Sequence, residues 1–147
     1  MSIKNDLKII KFGCYSVKNS DLKIKDRKGK LMDGVHNVFL IKKSKNGEKV
    51  KVKTITSLEN ISKDGKRRFH EGALESVRNG EIIVIPQARI RSKKLSGINR
   101  RPIWIKIECL NKPTGNYVFP KEYSSIISTD YKEKNKTGCF ILYQKLL

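Results

Sequence analysis

In several stretches of this chain apolar and polar residues alternate with a period of two, which predicts strands. Val35 to Lys43 and Lys49 to Thr56 form the clearest hairpin, because Asn46-Gly47 between them supplies the positive φ angles that a type I′ turn or a short bulged loop requires. On the second of these strands Val50 and Val52 point one way while Lys49, Lys51 and Lys53 point the other. That polar side reads as a solvated sheet face or, functionally, as a cationic stripe. Leu7 to Val17 is also β-prone, with Gly13 as a bulge or bend. Glu81 to Ile90 is a further strand, and Pro86, which cannot donate to a ladder, places it at a sheet edge or a bulge. In Ile103 to Leu110 the residues Ile103, Ile105, Ile107 and Cys109 alternate with Trp104, Lys106 and Glu108, which puts Trp104 on the outer face beside Lys106. Phe39 shares the face of Val35 and Ile41 and reads as core. A helical period appears in Phe69 to Asn79, where Phe69, Ala73, Leu74 and Val77 fall on one side. Gly72 weakens that helix and Gly80 ends it.

The connectors are polar. Asn19 to Asp33 carries Lys23, Lys25, Arg27, Lys28 and Lys30, with turns at Arg27 to Lys30 and at Asp33-Gly34. Ser57 to Arg68 reads as a loop ending in Lys66-Arg67-Arg68, and Arg89 to Arg101 as a second, more basic one. Asn111 to Asn116 is a turn, Tyr117 to Phe119 a short strand, Lys121 to Lys136 a polar loop, and Cys139 to Leu147 a strand or docked tail. The expected fold class is therefore mainly β (α+β), a small antiparallel barrel or sheet. We expect one domain over 1–147, with its core at about 7–110 and a C-terminal extension over 111–147. Three strands, one helix and two strands resemble the element order of the OB-fold. That resemblance implies oligonucleotide-binding loops at Asp21 to Lys30 and Arg89 to Arg101.

Charge sharpens this picture. The chain has 33 basic and 14 acidic residues, a formal net charge of +19. Abundant lysine, isoleucine and asparagine match an AT-rich coding bias, but the eight arginines run against it. Guanidinium forks suit phosphates and bases, and so large a positive charge steers a protein toward polyanions. The stretch Arg89 to Arg101 holds Arg89, Arg91, Lys93, Lys94, Arg100 and Arg101 with no acid and no histidine, so it can hold a polyanion but has no evident means of cutting one. We expect these six to contact phosphates, assisted by Arg67, Arg68, Arg27 and Lys28, with Trp104 stacking on a base. If all six neutralise phosphates, log K against log salt falls with a slope of roughly −4 on single strands.

Other chemistry is thinly represented. Cys14, Cys109 and Cys139 lack metal-ligand spacing and read as reduced, buried thiols, so neither a metal nor a cofactor is expected. Phosphate-cradling glycine loops do not occur. No apolar run reaches membrane-spanning length, and the start of the chain lacks the pattern of a secretory signal, so a cytoplasmic location is expected and a membrane partner is not.

The reading is a non-enzymatic nucleic-acid-binding domain, with RNA or single-stranded DNA favoured because no recognition helix is present. It leans away from an enzyme. One alternative is a small metal-independent, toxin-like endoribonuclease using His70 and Glu71 beside Arg67 and Arg68. Another is a basic protein-interaction module or inhibitor that engages an acidic protein surface or a nucleoprotein complex.

Overall fold

The computed structural model of the chain describes residues 11–26, 28–85, 95–111, 113, 114, 117, 119, 121 and 124–129. The fold is mainly antiparallel β. The strands are β1 (Cys14–Lys18), β2 (Val35–Lys43), β3 (Lys49–Ser57), β4 (Glu59–Ile61), β5 (Arg67–Phe69), β6 (Ile82–Ile85), β7 (Ser96–Asn99) and β8 (Ile103–Lys106). Helix α1 (Ala73–Arg78) follows β5, and α2 (Ser124–Ser128) follows a 3-10 turn at Ile107–Cys109. The chain packs as two compact units, each built from two separated segments: 1–54 with 102–119, and 55–101 with 120–147. Described residues beyond 111 take part in the packing. Tyr117, Phe119 and Ile127 are all buried.

In the first unit the strands run in the order β1, β2, β3, β8. The hairpin between β2 and β3 closes as Asn46-Gly47 predicts. Gly47 has φ 73° and donates its N–H to Ser44 O, while Asn46 Oδ1 accepts the Glu48 N–H. Tyr15, Val17, Val38, Leu40, Val50, Val52, Ile105, Ile107 and Leu110 form one core cluster. Phe39 packs edge-on to Phe119, which stacks on Phe12. In β3 every residue from Val50 to Ile55 is buried, Lys51 and Lys53 included, so the solvated lysine face expected there is reduced to Lys49.

In the second unit the end of β3, Ile55–Ser57, pairs with β7, and β7 pairs with β6. Among the described residues β6 has that single neighbour, and Pro86, read as a mark of a sheet edge or a bulge, lies outside the described residues. Here the structure departs from sequence pattern in four places, one of them being α2, which lies inside the expected polar loop Lys121 to Lys136. The predicted helix from Phe69 begins only at Ala73, because Gly72 takes φ 79° and Phe69 belongs to β5. The predicted loop Ser57 to Arg68 contains the β4–β5 hairpin, turned at Asp64-Gly65 with Gly65 at φ 83°. The predicted basic loop ends early, since Ser96–Asn99 is a buried strand. The 3.6-residue period did locate the helix, and Gly80 follows it at φ 77°.

No ladder among the described residues joins β6 back to β1, so these strands do not close into a barrel. No helix among the described residues is long and apolar enough to cross a membrane.

Gly97 shows why β7 needs glycine. A Cβ there would overlap Ile82 Cγ2 and stand 3.1 Å from Leu58 Cδ1 and 3.3 Å from the carbonyl oxygen of Ile83. The Ile82 methyl is attached at Cβ and cannot swing clear as a long flexible side chain could. Gly97→Ala should therefore cost about 1–3 kcal/mol of stability through overpacking, read as a lower urea midpoint at unchanged slope.

Candidate nucleic-acid interface

Strand β8 places Trp104 on the outer side of the first unit. Its neighbours Ile103 and Ile105 turn into the core, so alternation sends Trp104 outward, where it is 44% exposed. Lys51 lies directly opposite it on β3, and Lys49 lies directly opposite Lys106 two positions along. Directly opposed residues share a face, as do residues two apart, so Lys49, Lys51, Trp104 and Lys106 form one patch. Lys42 adds its ammonium 5.8 Å from the Trp104 ring centroid. This is within cation–π range.

The patch is electrostatically biased. Lys49 and Lys106 are both exposed, and like charges directly opposite each other destabilise an antiparallel pair. An anion laid across them relieves that repulsion. The exposed indole offers a flat apolar surface at the same place, and the planar face of a nucleobase matches it.

The other predicted contacts separate. Arg89, Arg91, Lys93, Lys94 and Arg27 lie outside the described residues. Lys28 is exposed at a turn whose backbone is held by Asp26, which accepts the Lys28 and Lys30 N–H groups at 2.8 and 3.0 Å. Arg67 pairs with the buried Glu59 at 3.4 Å, and Arg68 is exposed on β5 opposite Asn60. Arg101 is exposed, 4.0 Å from Glu81.

Arg100 is different. It is 1% exposed. Its guanidinium donates to Gly80 O from Nη1 and to Thr129 O from Nε and Nη2, each at 3.4 Å. Gly80 and Thr129 lie just past the ends of α1 and α2, where helix carbonyls lack intrahelical partners. Arg100 therefore serves the interior of the second unit and cannot reach a phosphate from this position. Sequence reasoning placed it among the gripping residues because composition does not show which way a side chain points. Lys42 was missed because its contact with Trp104 joins two strands far apart in sequence.

Among the described residues no group of three or more His, Cys, Asp and Glu side chains is placed to hold a metal ion. His70 is exposed beside the hairpin, with Asn60 Nδ2 donating to its Nδ1 at 3.5 Å. Glu71 is exposed too. Cys14 is buried 3.1 Å from Thr114 Oγ1, and burial pushes its thiol above the ordinary value of 9.0. Cys109 is shifted the same way, again chiefly by desolvation.

His36 is half-buried in the first unit, its Nδ1–H bonded to Asn19 Oδ1, while Asn19 Nδ2 donates to Asp33 O at 2.8 Å. Desolvation lowers the His36 pKa from 6.5. A depressed folded-state value means that the unfolded chain binds the proton more readily, so stability is full above pH 6.5 and declines as pH falls below it. His36→Gln should flatten that part of a stability-versus-pH curve measured by urea melts between neutral and mildly acid pH.

No protein-family model matches the chain, and no curated protein matches it in sequence.

Proposed function

We propose that the protein is a non-enzymatic nucleic-acid-binding domain whose first unit grips single-stranded nucleic acid, stacking a base on Trp104 and holding the backbone with Lys42, Lys49 and Lys106. The observation that carries this reading is the exposed indole flanked by an unbalanced cross-strand lysine pair. Aromatic platforms set among cations bind single strands with little sequence preference, because every base presents a π-face. The net charge of +19 favours encounter with any polyanion, and the acid-free stretch that includes Arg89, Arg91, Lys93, Lys94 and Arg101 adds to it. The OB-like order of the elements, without closure of the strands, would suit the same role and belongs to this proposal. So does action inside the cell, where single-stranded RNA and DNA are found.

Trp104 is the single tryptophan of the chain, so intrinsic emission reports on this face directly. Titrating oligo-dT or oligo-U should quench that emission. If three lysines of the face neutralise phosphates, log K against log salt should slope at about −2, and more steeply by whatever the Arg89 to Arg101 cations contribute. Absence of salt-dependent binding to either oligomer at low ionic strength would overturn the proposal.

A further inference from the structure

From Asn60 to Arg68 every residue is exposed, although Asn60, Ile61, Arg67 and Arg68 belong to paired strands. A sheet resting on a core buries every second side chain. This hairpin buries none along that length, so it stands clear of the core of its own unit as a free two-stranded ribbon. Its root is firm. Leu58 and Glu59 are buried, Phe69 packs against the cluster of Leu58, Ala73, Val77 and Val84, and His70 donates its N–H to Leu58 O at 2.9 Å.

Isolated hairpins are marginal in water, and this one is braced at both ends. At the tip Ser62 N–H donates to Lys66 O and Gly65 N–H to Ser62 O, each at 2.9 Å, and Asp64 accepts both the Ser62 hydroxyl and the Lys66 N–H. At the root Glu59 Oε1 lies 3.4 Å from Arg67 Nη1 and also accepts the Leu95 N–H at 2.9 Å. Glu59 thereby ties the ribbon to the backbone at Leu95, within the most basic stretch of the chain. The shaft and tip carry Lys63, Lys66, Arg67 and Arg68 against the single acid Asp64.

The residue types along the ribbon are selective. Asn60 and Arg68 are directly opposite each other and both exposed. Asparagine offers adenine, and arginine offers guanine, a matched pair of hydrogen bonds at the major-groove edge. Ile61 and Arg67, directly opposite each other, lie on the other face of the ribbon, so Asn60 and Arg68 form the base-reading pair by themselves. The B-form major groove is wide enough for a two-stranded ribbon, whereas the A-form major groove is too narrow for side chains to read.

We propose that the β4–β5 ribbon is a second nucleic-acid contact that enters the major groove of B-form DNA, with Asn60 and Arg68 against base edges and Lys63 and Lys66 against flanking phosphates. The contact lies within the second unit and does not rest on the Trp104 face. The test uses the full chain with three fluorescent probes: a short mixed-sequence DNA duplex, the RNA duplex of the same sequence, and oligo-dT. The double variant Asn60→Ala with Arg68→Ala changes two exposed side chains, and its melting temperature is expected to match the parent. It should lose about ten- to hundredfold in affinity for the DNA duplex and keep its affinity for oligo-dT. The parent should bind the DNA duplex more tightly than the RNA duplex. Equal binding of the two duplexes, an unchanged DNA-duplex affinity in the double variant, or an equal loss on oligo-dT would each overturn the inference. A parent that binds duplex DNA through the ribbon yet ignores oligo-dT would remove the Trp104 reading and leave this one standing.

Discussion

Arg100→Ala should lower the stability of the folded protein by about 2–4 kcal/mol and leave nucleic-acid affinity per folded molecule unchanged. The side chain is 1% exposed, and its guanidinium serves the Gly80 and Thr129 carbonyls. Truncation removes a side chain that is itself buried and leaves the buried Gly80 carbonyl without this charged donor, a loss that exceeds the usual surface effect. Arg100→Lys should recover part of the loss, because an ammonium is a point donor that cannot reproduce a planar fork reaching two carbonyls. Arg101→Ala is the matched control. Arg101 is exposed and lies 4.0 Å from Glu81, and exposed ion pairs contribute little, so its removal should alter stability by less than about 1 kcal/mol. Urea melts of the three variants separate the roles. A stable Arg100→Ala variant with weakened binding would show that this arginine grips nucleic acid after all.

Trp104→Ala should produce the largest change in binding. Stacking on an exposed aromatic is worth about 1–3 kcal/mol per base, so affinity for oligo-dT or oligo-U should fall by about fivefold to a hundredfold or more. Stability should shift little, because the indole is 44% exposed and its removal opens no enclosed cavity. Trp104→Phe should keep much of the affinity, since it retains a π-face. The lysines behave differently from the ring. Replacing Lys49 and Lys106 together by alanine should make the salt slope about 1.4 shallower, reflecting two fewer phosphates neutralised. It should also relieve the repulsion of that cross-strand pair. Fluorescence anisotropy across a salt series distinguishes the two losses, because removing the ring weakens binding at every salt concentration with the slope unchanged. If Trp104→Ala binds both oligomers as the parent does, the stacking role is excluded.

The pH response follows from a different residue. His36 binds a proton less readily in the folded state because it is half-buried, so mild acid should weaken the first unit before the carboxylates titrate. The two thiols with raised values stay protonated at neutral pH, which makes them slow nucleophiles and consistent with packing roles.

Legibility differed from element to element. Period-two alternation in Val35–Lys43 and Lys49–Ser57 with Asn46-Gly47 between them was enough to place that hairpin, because local turn chemistry and side-chain period agree there. The β4–β5 hairpin was invisible to the same reasoning. Glu59-Asn60-Ile61 and Arg67-Arg68-Phe69 bury no alternate row along the shaft, so no apolar period marks them, and Asp64-Gly65 was the one local signal. Ser96–Asn99 was read as part of a loop because it is short and contains glycine, and its burial arises from pairing with both β3 and β6.

By itself the sequence determined the β-rich class, the first hairpin, the position of the short helix, the outward direction of Trp104 and the excess of positive charge. Each depends on residues close together along the chain or on composition. The tertiary structure alone decided which cations face water. Arg100 is drawn inward by a carbonyl 29 residues away, Lys51 and Lys53 are covered while Lys49 is not, and Lys42 meets a tryptophan on another strand. A long charged side chain can lie buried or exposed at nearly any position, and what decides is whether distant parts of the chain bring it partners.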